Sequence, residues 1–407
     1  MAQLLPTLEN LDVSGKTVLV RLDLNVPMSR GRVTDATRIR RSVPTLQYLI
    51  ERNAKVVILS HLGRPEGFDP ALSMSPLVDV LSELLWDRPV RFAPDCVGSA
   101  AQLAVEAAQP GDVVLMENLR FHREEKKGDA KFAAAMAALG DAYVNDAFSC
   151  SHRAHASITG IPKHLPAAAG RLMQEEIAAL TKVLAEPARP VTAIVGGSKI
   201  STKLALLGNL VAKVDNLVIG GAMANTFLKA QGIEVGRSLV EDEMLGTAKT
   251  ILKEAKGGNC RILLPVDAVV AAAFEASAAS RVTACDAIPK DGMILDIGPR
   301  SLASIGEVVA ASRTLVWNGP LGAFETPPFD SATVQVTRMI AGATRAGTLH
   351  SVAGGGDTLA ALAYAGLSAE LSYLSTAGGA FLEWLEGKEL PGIAALMKQG
   401  HASRKRA

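Results

Sequence analysis

Along the chain, short β-branched apolar runs alternate with stretches whose apolar positions recur every three or four residues. The runs include Thr17–Val26, Val56–Ser60, Val113–Glu117, Ala142–Asp146, Thr192–Val195, Leu217–Ile219 and Leu349–Ala353. Such alternation predicts βαβ units and parallel sheets. No fixed-period repeat or low-complexity segment interrupts it. In Thr17–Val26 the two-residue period of a strand puts Val18, Val20, Leu22, Leu24 and Val26 on one face. Arg21, Asp23 and Asn25 fall on the other. A central parallel strand is normally apolar on both faces, and buried polar groups are costly unless paired. The alternative is an edge strand with a solvated face.

Arg171–Glu186 carries apolar residues at 172, 173, 177, 180, 183 and 184, one face of a helix, and Pro187 and Pro190 follow it. A new βα series starts at Val191. The pattern predicts a connecting helix over 171–186, acting as a strut with hinges at its ends. A chain of 407 residues exceeds one ordinary core. The expected fold is therefore α/β, with two doubly wound, Rossmann-like domains of parallel sheet joined by that helix. The first domain is expected over 1–170 and the second over 187–386.

The two halves end their strands differently, and ligands of open α/β sheets bind beyond the carboxyl ends of strands. First-half ends carry Asp23 and Asn25, His61 and Arg64, and Arg120. Arg38 opens a predicted helix, and Arg153 follows the strand at Ala142–Asp146. A single Arg is usually a surface residue, but several at the ends of one sheet point to a small anion. Guanidinium groups grip phosphate and carboxylate through a planar fork. The ligand expected here carries two or more negative charges and a hydroxyl for Asp23 and Asn25. His152 and His155 lie near Cys150, yet the segment lacks further metal ligands in register.

Second-half ends carry Gly196-Gly197, Gly220-Gly221 and Gly354-Gly355-Gly356-Asp357. Glycines at a helix start let backbone N–H groups approach a phosphate. In Gly196–Lys203 the sequence predicts a helix start, with Lys199 and Lys203 on one helix face reaching a polyphosphate. The order is not that of a Walker A loop. Ser14-Gly15-Lys16-Thr17 is a near miss that reads as a turn. Asp357 beside a phosphate site is a candidate ligand for Mg²⁺, or equally a helix N-cap. Thr376–Ala380 is a further glycine turn. Asn318 closes another strand end, and Glu325 after it could bind a ribose hydroxyl.

Composition narrows the partners. Lys and Arg number 42 against 41 Asp and Glu, a formal charge of +1, which argues against nucleic-acid or membrane-surface binding. The four Cys form no CxxC pair, which suits reduced thiols in a cytoplasmic protein. The first residues lack the pattern of a secretory signal, no apolar stretch is long enough to span a membrane, and the basic Arg404–Arg406 tail reads as a frayed terminus.

Eleven segments, in order, resemble phosphoglycerate kinase: RLDLNVP (21–27), SHLGRP (60–65), ENLRF (117–121), NDAF (145–148), RAHAS (153–157), GGSKISTK (196–203), GGAMANTFL (220–228), LDIGPRS (295–301), WNGPLGAFE (317–325), AGGGDT (353–358) and LEGKELPG (385–392). They cover nearly the whole chain. The resemblance implies an N-terminal domain for 3-phosphoglycerate, a C-terminal domain for Mg²⁺ with ADP or ATP, and reversible phosphoryl transfer to and from 1,3-bisphosphoglycerate in glycolysis. By matching motifs, Asp23, Asn25, Arg38, His61, Arg64, Arg120 and Arg153 would hold the acid. Lys199, Lys203, Gly221, Gly298, Asn318, Glu325, Gly355, Gly356, Asp357 and Thr358 would contact nucleotide, with Asp357 on the metal. Arg38 and Lys203 would neutralise the transferring group. The resemblance also implies a monomer, and a C-terminal segment over 387–407 that returns to the first domain.

The chain departs from the family's usual pattern at two places. Ala377 replaces the first of three glycines, while Gly378 and Gly379 remain; Arg300 replaces a common Lys. The competing readings are a kinase of another small phosphorylated acid, a dinucleotide-dependent dehydrogenase and a non-catalytic nucleotide-binding relative. No G-x-G-x-x-G follows a first-half strand, which disfavours the dehydrogenase. Arg38, Lys203 and Asp357 are all present, which disfavours the non-catalytic protein.

Overall fold

The structure, a computed structural model, describes residues 5–404. Met1–Leu4 and most of the basic tail, Lys405 and Arg406, lie outside the described residues. The chain forms two compact units. One runs to Ala178 and resumes at Glu389; the other is Ala179–Lys388.

The first unit holds six parallel strands in the order Val90–Ala93, Val113–Met116, Lys55–Leu59, Thr17–Arg21, Ala142–Asn145, Ala167–Ala169. Thr17–Arg21 is a central strand flanked on both sides, not the edge strand that was the alternative. It is also shorter than its sequence pattern. After Arg21 the chain leaves the ladder, so Asp23 and Asn25 stand beyond the carboxyl end of the strand rather than on a sheet face. The strand's own polar residue, Arg21, is buried at 1% exposure. Leu22, Leu24 and Val26 still reach the core, with Val18, Val20, Ile39, Leu46, Val56 and Ile58.

In the second unit the order is Arg261–Leu263, Asn216–Ile219, Val191–Val195, Thr314–Asn318, His350–Gly354, Tyr373–Ser375, again all parallel. Numbered along the chain these strands run 3-2-1-4-5-6, the doubly wound order with its switch point between the first and fourth. Ile194, Val218, Leu315, Trp317 and Ile340 centre its core. A three-stranded antiparallel sheet, Ser280–Ala284, Asp267–Ala271 and Met293–Ile297, has a smaller core of its own around Val235, Ala268, Val270 and Cys285. The sequence reading anticipated parallel sheets only.

The helix Arg171–Leu184 stands where a connecting helix was expected. It starts against the first unit, where the buried Asp146 carboxylate accepts from the Met173 amide at 2.9 Å. The helix Pro391–Arg404 belongs to the first unit, and the Gly392 amide donates to the Ser151 carbonyl at 2.8 Å. Among the described residues no helix is long and apolar enough to cross a membrane.

Candidate active site

In the first unit the expected anion residues gather beyond the carboxyl ends of four neighbouring strands. Asp23 is the hub. Its Oδ1 accepts from the Asn25 amide at 3.1 Å, and its Oδ2 from the Arg38 guanidinium at 3.0 Å and the Ser149 hydroxyl at 2.5 Å. Arg38 lies in the first turn of the helix Thr37–Ile50 and also donates to the Asn25 carbonyl at 3.1 Å. Asn25 Oδ1 accepts from the Gly63 amide at 2.8 Å. Arg120, buried, donates to the Gly63 carbonyl at 2.5 Å, while its Nε has no partner. Arg153 Nε donates to His152 Nε2 at 3.0 Å, and Arg64 is exposed in the loop after Gly63.

Beneath these residues lies a buried layer. Arg21 donates through Nε to the Ser157 hydroxyl at 2.9 Å, meets His61 Nδ1 at 3.0 Å and donates to the Leu22 carbonyl. Glu125, itself buried, accepts from the Ser157 hydroxyl at 2.6 Å. Burial and the neighbouring Arg21 and Arg120 push the His61 pKa well below its ordinary value. His155 is pushed down to about 3, again mainly by burial. Both rings are therefore neutral at physiological pH. Burial also lowers the Arg120 pKa, with Arg21 and Arg153 adding to the effect. Crowded cations that repel one another favour an incoming dianion. Arg21 and Ser149 were not among the expected site residues. Arg21 was visible as a charge on a strand that must be buried, whereas Ser149 gives no signal in the sequence.

In the second unit the switch point is a cradle. The Gly196 amide donates to the Asn318 carbonyl at 2.9 Å. The sequence reading put Lys199 and Lys203 on one helical face; the structure corrects this. Residues 196–203 form a loop, and the helix begins only at Leu204. Gly196 and Gly197 keep the backbone out of helical pairing, and the loop folds back over the strand end instead. Lys199 is exposed, whereas Lys203 turns inward. Its Nζ donates to the Gly196 carbonyl at 2.7 Å and to Asn318 Oδ1 at 2.6 Å. Burial lowers its pKa from the ordinary 10.5 to about 8, although Asp357 opposes the shift.

Asn318 donates in turn to the Gly354 carbonyl at 2.7 Å, and the Thr358 hydroxyl accepts from the Gly319 amide at 2.7 Å. The helix Gly356–Tyr364 is capped by Gly355, so Asp357 is not its N-cap but an exposed residue of its first turn. Gly355 has φ +99°, and a Cβ there would lie 2.5 Å from Asn318 Nδ2, so no other residue fits without displacement. Gly221 caps the helix Ala222–Ala230, and its amide donates to the Leu321 carbonyl at 2.8 Å. Gly298 caps the helix Pro299–Ala311, against the Asp267 carboxylate that accepts from the Ser301 amide at 2.8 Å. Glu325 is exposed in the loop that follows Asn318.

Ala377 fits its turn. The positive φ there, +55°, belongs to Gly378, and Ala377 is not among the left-handed residues. The glycine that was replaced is not the one the backbone requires.

A family model described as phosphoglycerate kinase matches residues 8–388. The chain is 59% identical to a phosphoglycerate kinase of Methylorubrum extorquens (strain PA1), covering 95% of this chain and 97% of that protein. It is also 59% identical to one from Ruegeria sp. (strain TM1040), covering 96% and 98%. Among solved structures, phosphoglycerate kinase from Coxiella burnetii superposes with a TM-score of 0.91 at 42% identity, covering 98% of this chain and all of that one. The Pyrococcus horikoshii OT3 enzyme gives 0.81 at 31% identity, covering 97% and 99%. A match that spans the chain from Leu8 to Lys388, carried by sequence and by fold alike, means that the chain belongs to the phosphoglycerate kinase family.

Proposed function

We propose that the chain catalyses reversible phosphoryl transfer between ATP and the carboxylate of 3-phosphoglycerate, giving ADP and 1,3-bisphosphoglycerate, as a kinase of glycolysis. Family membership supports the activity. The observation that carries the residue assignment is the pairing of two unlike anion sites, each at the carboxyl ends of a doubly wound sheet. On this reading the first unit binds the acid and the second the nucleotide. Asp23 and Asn25 take the acid's hydroxyl; Arg38, His61, Arg64, Arg120 and Arg153 take its phosphate and carboxylate. Lys199, Lys203, Gly221, Gly298, Asn318, Glu325 and Gly355–Thr358 surround the nucleotide.

A carboxylate oxygen of the acid attacks the γ-phosphorus, and the bond to the β,γ-bridging oxygen breaks. Its electron pair leaves with ADP. The nucleophile is already ionised, so no general base is needed. Catalysis then consists of positioning and charge neutralisation. Arg38 and Lys203 are the two cations assigned to the transferring group. Asp357 is a single exposed carboxylate beside the cradle and belongs to neither cluster of three side chains with metal-ligand spacing. That donor set suits Mg²⁺, which takes one or two carboxylates and completes its octahedron with phosphate oxygens and water. When bound, the ion supplies further charge neutralisation on the phosphates.

The protein acts as a cytoplasmic monomer on small molecules rather than on nucleic acid or membranes. The near-balanced charge of +1 supports the last point, and light scattering on the purified chain tests the first. A coupled assay with 3-phosphoglycerate and MgATP tests the reaction itself: ADP formation that requires 3-phosphoglycerate is expected, and none would overturn the reading.

A further inference from the structure

Apart from the anion pocket, the first unit gathers a second set of metal-ligand side chains. Asp95 and Cys96 lie between the strand Val90–Ala93 and the helix Gly98–Glu106. His122 joins the 3-10 turn Leu119–Phe121 to the helix Arg123–Lys127. The ligand atoms of the three lie within 4.8 Å of one another. His122 Nε2 and Asp95 Oδ1 are 2.8 Å apart. Cys96 is buried at 1% exposure, whereas the side chains of His122 and Asp95 are 31% and 41% exposed. The cluster thus has a thiol floor and an open, solvated side.

Both segments are held in place. The Cys96 amide donates to Asp95 Oδ1 at 2.6 Å, the His122 amide donates to the Leu119 carbonyl at 3.2 Å, and the His122 ring packs on Phe132 at 5.0 Å. We propose that Asp95, Cys96 and His122 form a binding site for a borderline-soft divalent cation of the zinc class, separate from the phosphoryl-transfer site. Sulfur, imidazole nitrogen and one carboxylate oxygen are the donors such ions select, and three protein ligands leave a fourth position for solvent. A thiol donor selects against Mg²⁺, so the ion that serves the nucleotide does not compete here.

The electrostatics separate this cluster from its counterpart, Asp23, His61 and Cys150 in the anion pocket. There Arg21, Arg120 and Arg153 surround His61 and repel a cation. At Cys96 the neighbouring charges are the carboxylates of Asp95 and Glu125, which attract a cation.

The test is titration of the full chain with Co²⁺, read by the near-ultraviolet absorption that a cobalt–thiolate bond produces, followed by displacement with Zn²⁺. One equivalent giving the band, and its loss on Zn²⁺ addition, are expected. Cys96→Ser should abolish the band. His122→Asn, at a partly exposed position, should weaken Co²⁺ at least tenfold while circular dichroism stays native, and it decides the matter if Cys96→Ser misfolds. Cys150→Ser should leave the band intact. Absence of the band, its persistence in Cys96→Ser, undiminished affinity in His122→Asn, or its loss in Cys150→Ser would each overturn the proposal.

Discussion

In the first unit every residue assigned to the acid that makes a side-chain hydrogen bond leans on a second group: Asp23 on Ser149, Arg38 on Asp23, Asn25 on the Gly63 amide, His61 on Arg21, Arg120 on the Gly63 carbonyl and Arg153 on His152. In the second unit the material is mostly backbone, with Gly196, Gly319 and Gly355 crowded around Asn318 and one inward lysine. The difference teaches how each site fails. A side-chain pocket loses its ligand when a charge or its prop is removed. A backbone cradle loses it when a methyl group is added.

The largest effect is expected where the first unit is assigned to act on the nucleotide's own phosphoryl group. Arg38→Ala should lower kcat by about 10³-fold or more, the range of finger-type arginines, with nucleotide affinity changed little. Steady-state kinetics with a separate MgADP titration checks this, and near-normal turnover would break the assignment of Arg38.

A smaller loss should come from the cradle. Gly355→Ala puts a methyl group 2.5 Å from Asn318 Nδ2 at a φ of +99°. It should raise the nucleotide KM on the order of tenfold and cost about 1–3 kcal/mol of stability from local strain, leaving the acid's KM unchanged. Kinetics and thermal melts measure both. An equal rise in both KM values would erase the division between the two regions.

The pH dependence sharpens the same division. With its pKa near 8, the Lys203 ammonium is lost above that pH, so kcat/KM for nucleotide should fall on an alkaline limb near 8. Bound phosphate favours the charged form, so kcat should hold to higher pH. For stability the sign is opposite: the unfolded chain keeps this proton up to about 10.5, so Lys203 makes stability rise with pH between about 8 and 10.5. Lys203→Met should remove both features. His61 and His155 are neutral at physiological pH and add no limb to kcat/KM there, but the unfolded chain takes up their protons below about 6.5, so they make stability fall as pH drops below that value.

Least of all should change at Ala377. Ala377→Gly is expected to leave kcat and both KM values within about twofold, because Gly378 already supplies the left-handed residue of that turn. A large gain of nucleotide affinity would show that backbone approach at position 377 matters after all.

Much of this was legible in the chain. Period-two apolar runs located the strands, and the residues directly after them pointed to both candidate sites, because a doubly wound sheet delivers its strand ends to one edge. The polar face read into Thr17–Val26 was misplaced. Alternation continues past the last ladder bond at Arg21, so Asp23 and Asn25 look like strand residues although they are loop residues. Lys199 and Lys203 have helical spacing, but the glycines before them keep the loop unwound until Leu204. The props were least visible. Ser149 and Ser157 are ordinary serines in sequence, and only long-range folding brings them to Asp23 and Arg21. The antiparallel sheet that carries Asp267 beside Gly298 is short and weakly patterned, and it escaped the reading for the same reason.

The central claim is that side chains of the first unit hold the acid and backbone of the second holds the nucleotide. Calorimetric titration of each ligand alone into Arg120→Ala and Gly355→Ala tests it most directly. Arg120→Ala should weaken 3-phosphoglycerate at least tenfold and leave MgADP unchanged, and Gly355→Ala should do the reverse. Loss of both ligands in either folded variant, or of the wrong one, would contradict it.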